Sequence, residues 1–143
     1  MIFIVGPTAT GKTQTGIELA KKINGEIISA DSRQIYKYLS IGTSKPSGKW
    51  TNLNHKKMYI VDTIPYHLVD FLDPEKNFSA GEFVELSKKI IQEIKKRGKV
   101  PIVVGGTGLY INSLINGIAK LPPRNNSIRK KLLDIEKKFG RIY

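Results

Sequence analysis

The chain opens on Met1-Ile2-Phe3-Ile4-Val5, five apolar residues in succession, and then breaks at Gly6. An unbroken run of this kind reads as a strand buried on both faces of a parallel sheet. A helical spacing follows from about Lys12 to Ile23, and Asn24-Gly25 stops it. Glu26 to Ala30 reads as a second short strand. From Ser40 to Asn54 polar and turn residues take over, and Gly42, Pro46, Ser47 and Gly48 predict a loop or lid. Tyr59 to Asp62 and His67 to Leu72 are the next candidate strands. The clearest helix begins at Ser79, where Ser79 and Glu82 have capping-box spacing and Phe83, Leu86, Ile90, Ile91 and Ile94 recur on one face. Lys95-Lys96-Arg97 suit the negative end of that helix, and Gly98 can close it. Val100 to Val104 is a further buried strand ended by Gly105-Gly106, and a helix should run from Thr107 or Gly108 to about Ile115. Pro122-Pro123 marks a break before a last helix over Ser127 to Phe139. Strands alternating with helices predict an α/β fold, with a parallel sheet covered by helices on both faces.

Three junctions at the carboxyl ends of these strands carry candidate chemistry. Gly6-Pro7-Thr8-Ala9-Thr10-Gly11-Lys12-Thr13 fits the phosphate-loop pattern GxxxxGK[ST] between an apolar strand and a helix, which makes the sheet P-loop NTPase-like. The glycines let successive N–H groups point inward and the helix N-terminus adds positive potential. Lys12 supplies a mobile charge, and Thr13 offers a hydroxyl to Mg²⁺. Asp31-Ser32-Arg33-Gln34 follows the second strand, on the sheet edge where ligands of open α/β sheets bind. Asp31 suits holding Mg²⁺ or accepting a proton from a nucleophile, and it equally suits capping the next helix. Gln34 has the donor and acceptor that a base edge requires. Gly105-Gly106-Thr107-Gly108 is the third junction. Its glycines permit close approach to a ligand and Thr107 would project a hydroxyl, although an ordinary tight turn accounts for them as well. His55 and His67 lack metal-ligand spacing, and Trp50 and Tyr59 near the predicted lid do not make a stacking platform.

Composition narrows the class. The 143 residues include 24 Lys+Arg against 12 Asp+Glu, a net charge of +12, and 40% are hydrophobic, enough for a core. No cysteine is present, which excludes disulfides, cysteine-bound metals and a thiol nucleophile. No apolar run approaches the ~20 residues of a membrane span, and Met1 to Val5 has no basic flank, so it is not read as a signal peptide. A soluble cytoplasmic protein is expected. Residues 120–143 concentrate the charge, with eight basic groups against two acids. Such a tract suits a polyanionic partner, or simply a solvated helix face.

Together these stretches resemble one family. The loop at 6–13 is joined by Ala30-Asp31-Ser32-Arg33-Gln34-Ile35-Tyr36, Ile41-Gly42-Thr43-Ser44-Lys45-Pro46, His67-Leu68-Val69-Asp70 with Asp73-Pro74, Phe78-Ser79-Ala80-Gly81-Glu82-Phe83 and Val104-Gly105-Gly106-Thr107-Gly108-Leu109-Tyr110. The ordered set, covering roughly residues 1–130, is similar to the tRNA dimethylallyltransferases, which prenylate an adenosine beside the anticodon. The resemblance implies that Gly6 to Thr13 hold the pyrophosphate of dimethylallyl diphosphate, with Lys12 and Thr13 nearest the charge and Mg²⁺ assisting through Thr13. It implies that Asp31 is the base for the adenine exocyclic amine. It places Ser32, Arg33 and Gln34 in a tRNA-contacting segment, Thr107 facing the target nucleotide and Arg129 at a further tRNA contact. The implied partners are tRNA and dimethylallyl diphosphate, with no membrane, acting as a monomer. The implied division is an incomplete P-loop α/β core over 1–120 and the beginning of a basic helical tRNA-binding insertion over 121–143, family members being longer. Ser47 to Pro65 exceeds the usual family connection, so no role is carried over there. An adenylate isopentenyltransferase would share much of this pattern, and a small-molecule kinase would share the loop and an aspartate. A non-catalytic phosphate or RNA binder is the remaining alternative.

Overall fold

A computed structural model describes residues 1–53, 56–118 and 125–141. Its elements are β1 (Ile2–Val5), α1 (Lys12–Ile23), β2 (Gly25–Ser29), β3 (Lys49–Leu53), β4 (Lys56–Val61), β5 (Ile64–His67), α2 (Ala80–Lys96), β6 (Val100–Gly105), α3 (Gly108–Asn116) and α4 (Asn126–Phe139). The strands form one sheet in the order β1-β6-β2-β5-β4-β3. β1, β6, β2 and β5 run parallel, whereas β4 is antiparallel to β5 and β3 to β4. The sheet is therefore mixed: a four-stranded parallel body with an antiparallel ribbon along one edge.

The ribbon corrects the sequence reading in three places. Residues 49–53, expected within a loop, form β3. The strand expected at Tyr59 to Asp62 begins earlier, at Lys56. Asp62 and Thr63, at φ 47° and 71°, then turn the chain back with Val61 opposite Ile64. Positive φ at both central residues is the type I′ geometry that matches strand twist. The strand expected over His67 to Leu72 lies instead at Ile64–His67. Leu68 and Asp70 adopt φ 57° and 53°, which ends the extended run, and Leu72 makes a single parallel bridge to Tyr36.

Helices cover both faces, as the alternation of elements requires. Ile17 and Ala20 of α1 pack with Ile27, Tyr66, Ile102 and Val104 on one side. Phe83, Val84 and Ile94 of α2, with Tyr110 and Leu114 of α3, pack with Ile28, Ala30 and Val103 on the other. The pleat thus sends neighbours such as Ile27 and Ile28 into opposite cores. Both are fully buried, each burial stabilising by on the order of 2 kcal/mol. The Ser79–Glu82 capping box is present, and Gly98 takes the left-handed conformation that follows α2. Asn125 caps α4 through its side chain, and α4 contributes no buried residue. Pro122-Pro123, His55 and the boundary expected between residues 120 and 121 lie outside the described residues.

Near the amino end of β2, Glu26 is buried to 1% exposure and binds Arg97, Lys99 and the His67 ring. Its carboxylate accepts from His67 Nε2 at 2.7 Å, from Arg97 Nε and Nη2 at 3.1 and 2.7 Å, and pairs with Lys99 at 3.2 Å. Burial alone would raise its pKa. The hydrogen bonds from His67 and Arg97, reinforced by their charges, overcome that penalty and hold it at about 2, against an ordinary 4.5. This cluster fastens β2, the carboxyl end of β5 and the end of α2 together, and none of its four members lines the candidate cleft.

Candidate active site

The carboxyl ends of β1, β2, β5 and β6 converge on one cleft that opens to solvent. Its walls are Thr8 to Thr13, Asp31, Gln34, Ser44, Tyr66, Val104, Gly105 and Gly106. Strand order explains the convergence: β6 lies between β1 and β2, with β5 next to β2, so their loops emerge side by side.

The phosphate loop is shaped as its sequence predicts. Gly11 adopts φ 78° as N-cap of α1 with no side-chain cap, and the first turn of α1 holds no acidic residue. Its N–H groups are thereby left without an intrahelical partner and aimed where an anion would sit. Ala9 is held at φ 65°, uncommon for a residue with a Cβ. Thr10 Oγ1 donates to the Pro7 carbonyl at 2.9 Å, and the Lys12 ammonium also folds back onto that carbonyl. Gly6 and Pro7 do not line this cleft; they face a neighbouring apolar groove with Val5, Ile111 and Ile115.

Asp31 performs the local role and faces the cleft as well. Its Oδ1 accepts from the backbone N–H groups of Arg33 at 2.8 Å and Gln34 at 3.3 Å, capping a turn rather than a helix. Gln34 is buried and committed at both ends. Its carbonyl oxygen accepts from Ser29 Oγ at 3.1 Å, and its amide donates to the Ser44 carbonyl at 3.1 Å. It braces the cleft wall in place of presenting a free base-reading edge. Thr107 Oγ1 accepts from the Ser32 backbone N–H at 3.0 Å and lies 3.4 Å from Ser32 Oγ, so it ties the third junction to the Asp31 segment beside the cleft. Gly105 is required by sterics: a Cβ there would stand 2.2 Å from the Ala30 carbonyl oxygen. Arg33 is exposed, and Arg129 lies on the exposed surface of α4, an element that gives the cleft no residue.

Tyr66 and Ser44 were not legible as cleft residues from the sequence. Tyr66 is 3% exposed on β5, opposite Ile27 of β2, and lines the cleft together with Thr13. Burial pushes the phenol pKa up; the Thr13 contact opposes this and the Asp31 charge adds to it. Ser44 reaches the cleft because Lys45, its side chain 3% exposed, is anchored to Asp70 at 2.7 Å, and Asp70 also accepts from Trp50 Nε1 at 3.0 Å.

Among the described residues no three His, Asp or Glu side chains gather into a metal cage. The cleft does offer hard oxygen donors, the Thr13 hydroxyl and the Asp31 oxygen not used in the turn. Mg²⁺ is commonly held by one or two protein oxygens together with substrate phosphates, and these residues fit that mode.

Comparison with known proteins bears on the whole arrangement. The family model described as IPP transferase matches residues 34–142. The tRNA dimethylallyltransferase of Elusimicrobium minutum is 46% identical over 140 residues, covering 98% of this chain and 44% of that protein. The tRNA dimethylallyltransferase of Staphylococcus aureus is 54% identical over 115 residues, covering 80% of this chain and 34% of that one. Among solved structures, the full-length tRNA isopentenylpyrophosphate transferase of Bacillus halodurans superposes with a TM-score of 0.73 at 40% identity, covering 97% of this chain and 43% of that chain. The chain spans less than half the length of these relatives. With its phosphate loop, aspartate turn and double-glycine turn gathered at one sheet edge, the chain belongs to the IPP transferase family.

Proposed function

We propose that this cleft binds dimethylallyl diphosphate and transfers its allylic group to the exocyclic amine of the adenosine beside the anticodon of tRNA. One observation carries the reading: Thr8 to Thr13 and Asp31 line a single cleft. Loop N–H groups and Lys12 stabilise the charge that builds on the diphosphate as the carbon–oxygen bond breaks. As the amine nitrogen bonds to the allylic carbon, the Asp31 oxygen left open by the turn accepts the amine proton. An adenine amine is a weak nucleophile, so alignment against the allylic carbon counts for more than its reactivity. Mg²⁺, held by Thr13 and the diphosphate, would neutralise the departing charge. To reach the cleft the adenine must leave its stack, and the exposed basic residues of α4, Arg129 among them, would hold the surrounding RNA. The reading carries a monomer acting in the cytoplasm, and it is consistent with the described helices, none of which is long and apolar enough to cross a membrane.

Transfer of a labelled prenyl group to tRNA and to AMP tests the reading. Label in tRNA alone is expected, label in AMP would favour the free-nucleotide enzymes, and phosphorylated product would point to a kinase. Asp31→Asn keeps an oxygen to accept the turn hydrogen bonds. It should retain diphosphate binding while transfer falls by roughly 10²–10⁴-fold. A fully active variant would reduce Asp31 to its local role.

A further inference from the structure

Between Asp31 and Asp62 the chain carries no acidic residue and six basic ones: Arg33, Lys37, Lys45, Lys49, Lys56 and Lys57. Three of the six are neutralised by carboxylates from outside the stretch. Lys37 pairs with Asp73 at 3.2 Å, Lys45 with Asp70 at 2.7 Å, and Lys56 with Glu93. Arg33, Lys49 and Lys57 are exposed and pair with no carboxylate among the described residues. Two of these, Lys49 and Lys57, stand on the β3–β4 ribbon, within the segment that exceeds the usual family connection.

The ribbon holds one of them in place. Trp50 is opposite Tyr59 across the strands and Asn52 is opposite Lys57, so Lys57 lies diagonal to Trp50 on the same face. Its ammonium stands 5.5 Å from the centre of the indole ring, within reach of a cation–π attraction. The indole is itself fixed: its Nε1 donates to Asp70 at 3.0 Å, and Tyr59 meets the ring edge to face at 5.5 Å. Lys49, opposite Ile60, stands on the other face of the ribbon. Asp70 connects the ribbon to the cleft. Besides accepting from Trp50 and Lys45, it donates its own N–H to the Gln34 carbonyl at 2.9 Å, and Gln34 lines the cleft. Neither Lys49 nor Lys57 lines the cleft itself. Cations on two faces of a ribbon beside the cleft match a polyanion that extends past it, not a small diphosphate lodged within it.

We propose that the β3–β4 ribbon is an RNA-contacting surface, on which Lys49 and Lys57 bind backbone phosphates of the RNA that flanks the nucleotide entering the cleft. The inference rests on the tRNA reading above and places a contact on a part of the chain to which that reading gives no role. Phosphates fit these residues better than bases do, because an ammonium on a flexible stem acts as a point charge and carries no base code. Trp50 serves as the anchor. A Lys57 stem already laid over its ring has less freedom to lose when a phosphate arrives.

Trp50 is the chain's one tryptophan, so tryptophan emission reports on the ribbon alone. Titration of the full chain with an unmodified tRNA transcript should change that emission with the same midpoint as binding followed by filter retention. Inorganic pyrophosphate should leave it unchanged. Lys49→Gln combined with Lys57→Gln should weaken tRNA binding roughly tenfold near physiological salt and lower the slope of log K against log salt by about 1.5. Pyrophosphate affinity should stay at the wild-type value, which also shows that the variant folds. Lys88→Gln with Lys89→Gln removes two exposed charges from α2 and should cost far less. Bound tRNA with Trp50 emission unmoved, or equal losses for the two double variants, would overturn the inference and leave the tRNA reading standing. A chain that binds no tRNA would remove both. Emission that responds to phosphatidylglycerol vesicles and not to tRNA would refute the RNA contact in favour of an anionic lipid surface.

Discussion

Replacing Glu26 by Gln probes a buried charge cluster whose members do not line the cleft. The carboxylate is 1% exposed and shared by His67, Arg97 and Lys99. Its pKa of about 2 against an ordinary 4.5 corresponds to about 3 kcal/mol of preference for the charged form in the folded chain. A depressed folded pKa contributes its stability in full above the unfolded value, near 4.5. That stability is lost as pH falls through the interval down to about 2. Glu26→Gln should therefore be less stable by about 3 kcal/mol at neutral pH, Arg97 and Lys99 being left beside a neutral amide. The gap should narrow as acid protonates the wild-type carboxylate. Urea unfolding followed by circular dichroism, in steps from neutral pH to about 3, reads both quantities. A gap of constant size across that range would refute the linkage, and no gap at neutral pH would refute the clamp. Pyrophosphate binding under folding conditions should survive, since none of Glu26, His67, Arg97 and Lys99 lines the cleft.

Two further perturbations test the site's construction. Gly105→Ala places a Cβ against backbone that is itself fixed by Ala30 N–H to the Val104 carbonyl at 2.8 Å and Thr107 N–H to the Ala30 carbonyl at 3.1 Å. It should cost about 2 kcal/mol or more in thermal unfolding, and an unchanged melting temperature would show that the strands are free to part. Arg129→Ala, Lys130→Ala and Lys131→Ala combined should lower the slope of log K against log salt for tRNA binding by about 2 while leaving pyrophosphate affinity alone. An unchanged slope would make α4 ordinary solvated surface.

The parts of the fold read from the sequence are those written in local chemistry. The phosphate loop, the Ser79–Glu82 box, the Gly98 stop and the alternating apolar runs each depend on residues within one turn or one strand, and all stand in the structure. The β3–β4–β5 ribbon stayed hidden for an equally local reason. Asp62-Thr63 closes its turn with positive φ at two residues, one of them β-branched, and nothing in that dipeptide advertises a hairpin. Lys49-Trp50-Thr51-Asn52-Leu53 is too polar to read as a strand. The buried Glu26 and the cleft-facing Tyr66 were illegible because both depend on strand order, which sets residues 40 or more positions apart side by side. Asp31 shows the opposite limit. Capping and chemistry were competing readings of one residue, whereas its two carboxylate oxygens allow both.

The segment read from sequence as a lid has a further consequence. It is stapled at Gln34–Ser44, at Lys45–Asp70 and at Pro46–Tyr59. A doorway held open by such struts does not have to be assembled when the first guest arrives. The ordering entropy is already spent during folding, so less is subtracted from the affinity of whatever enters.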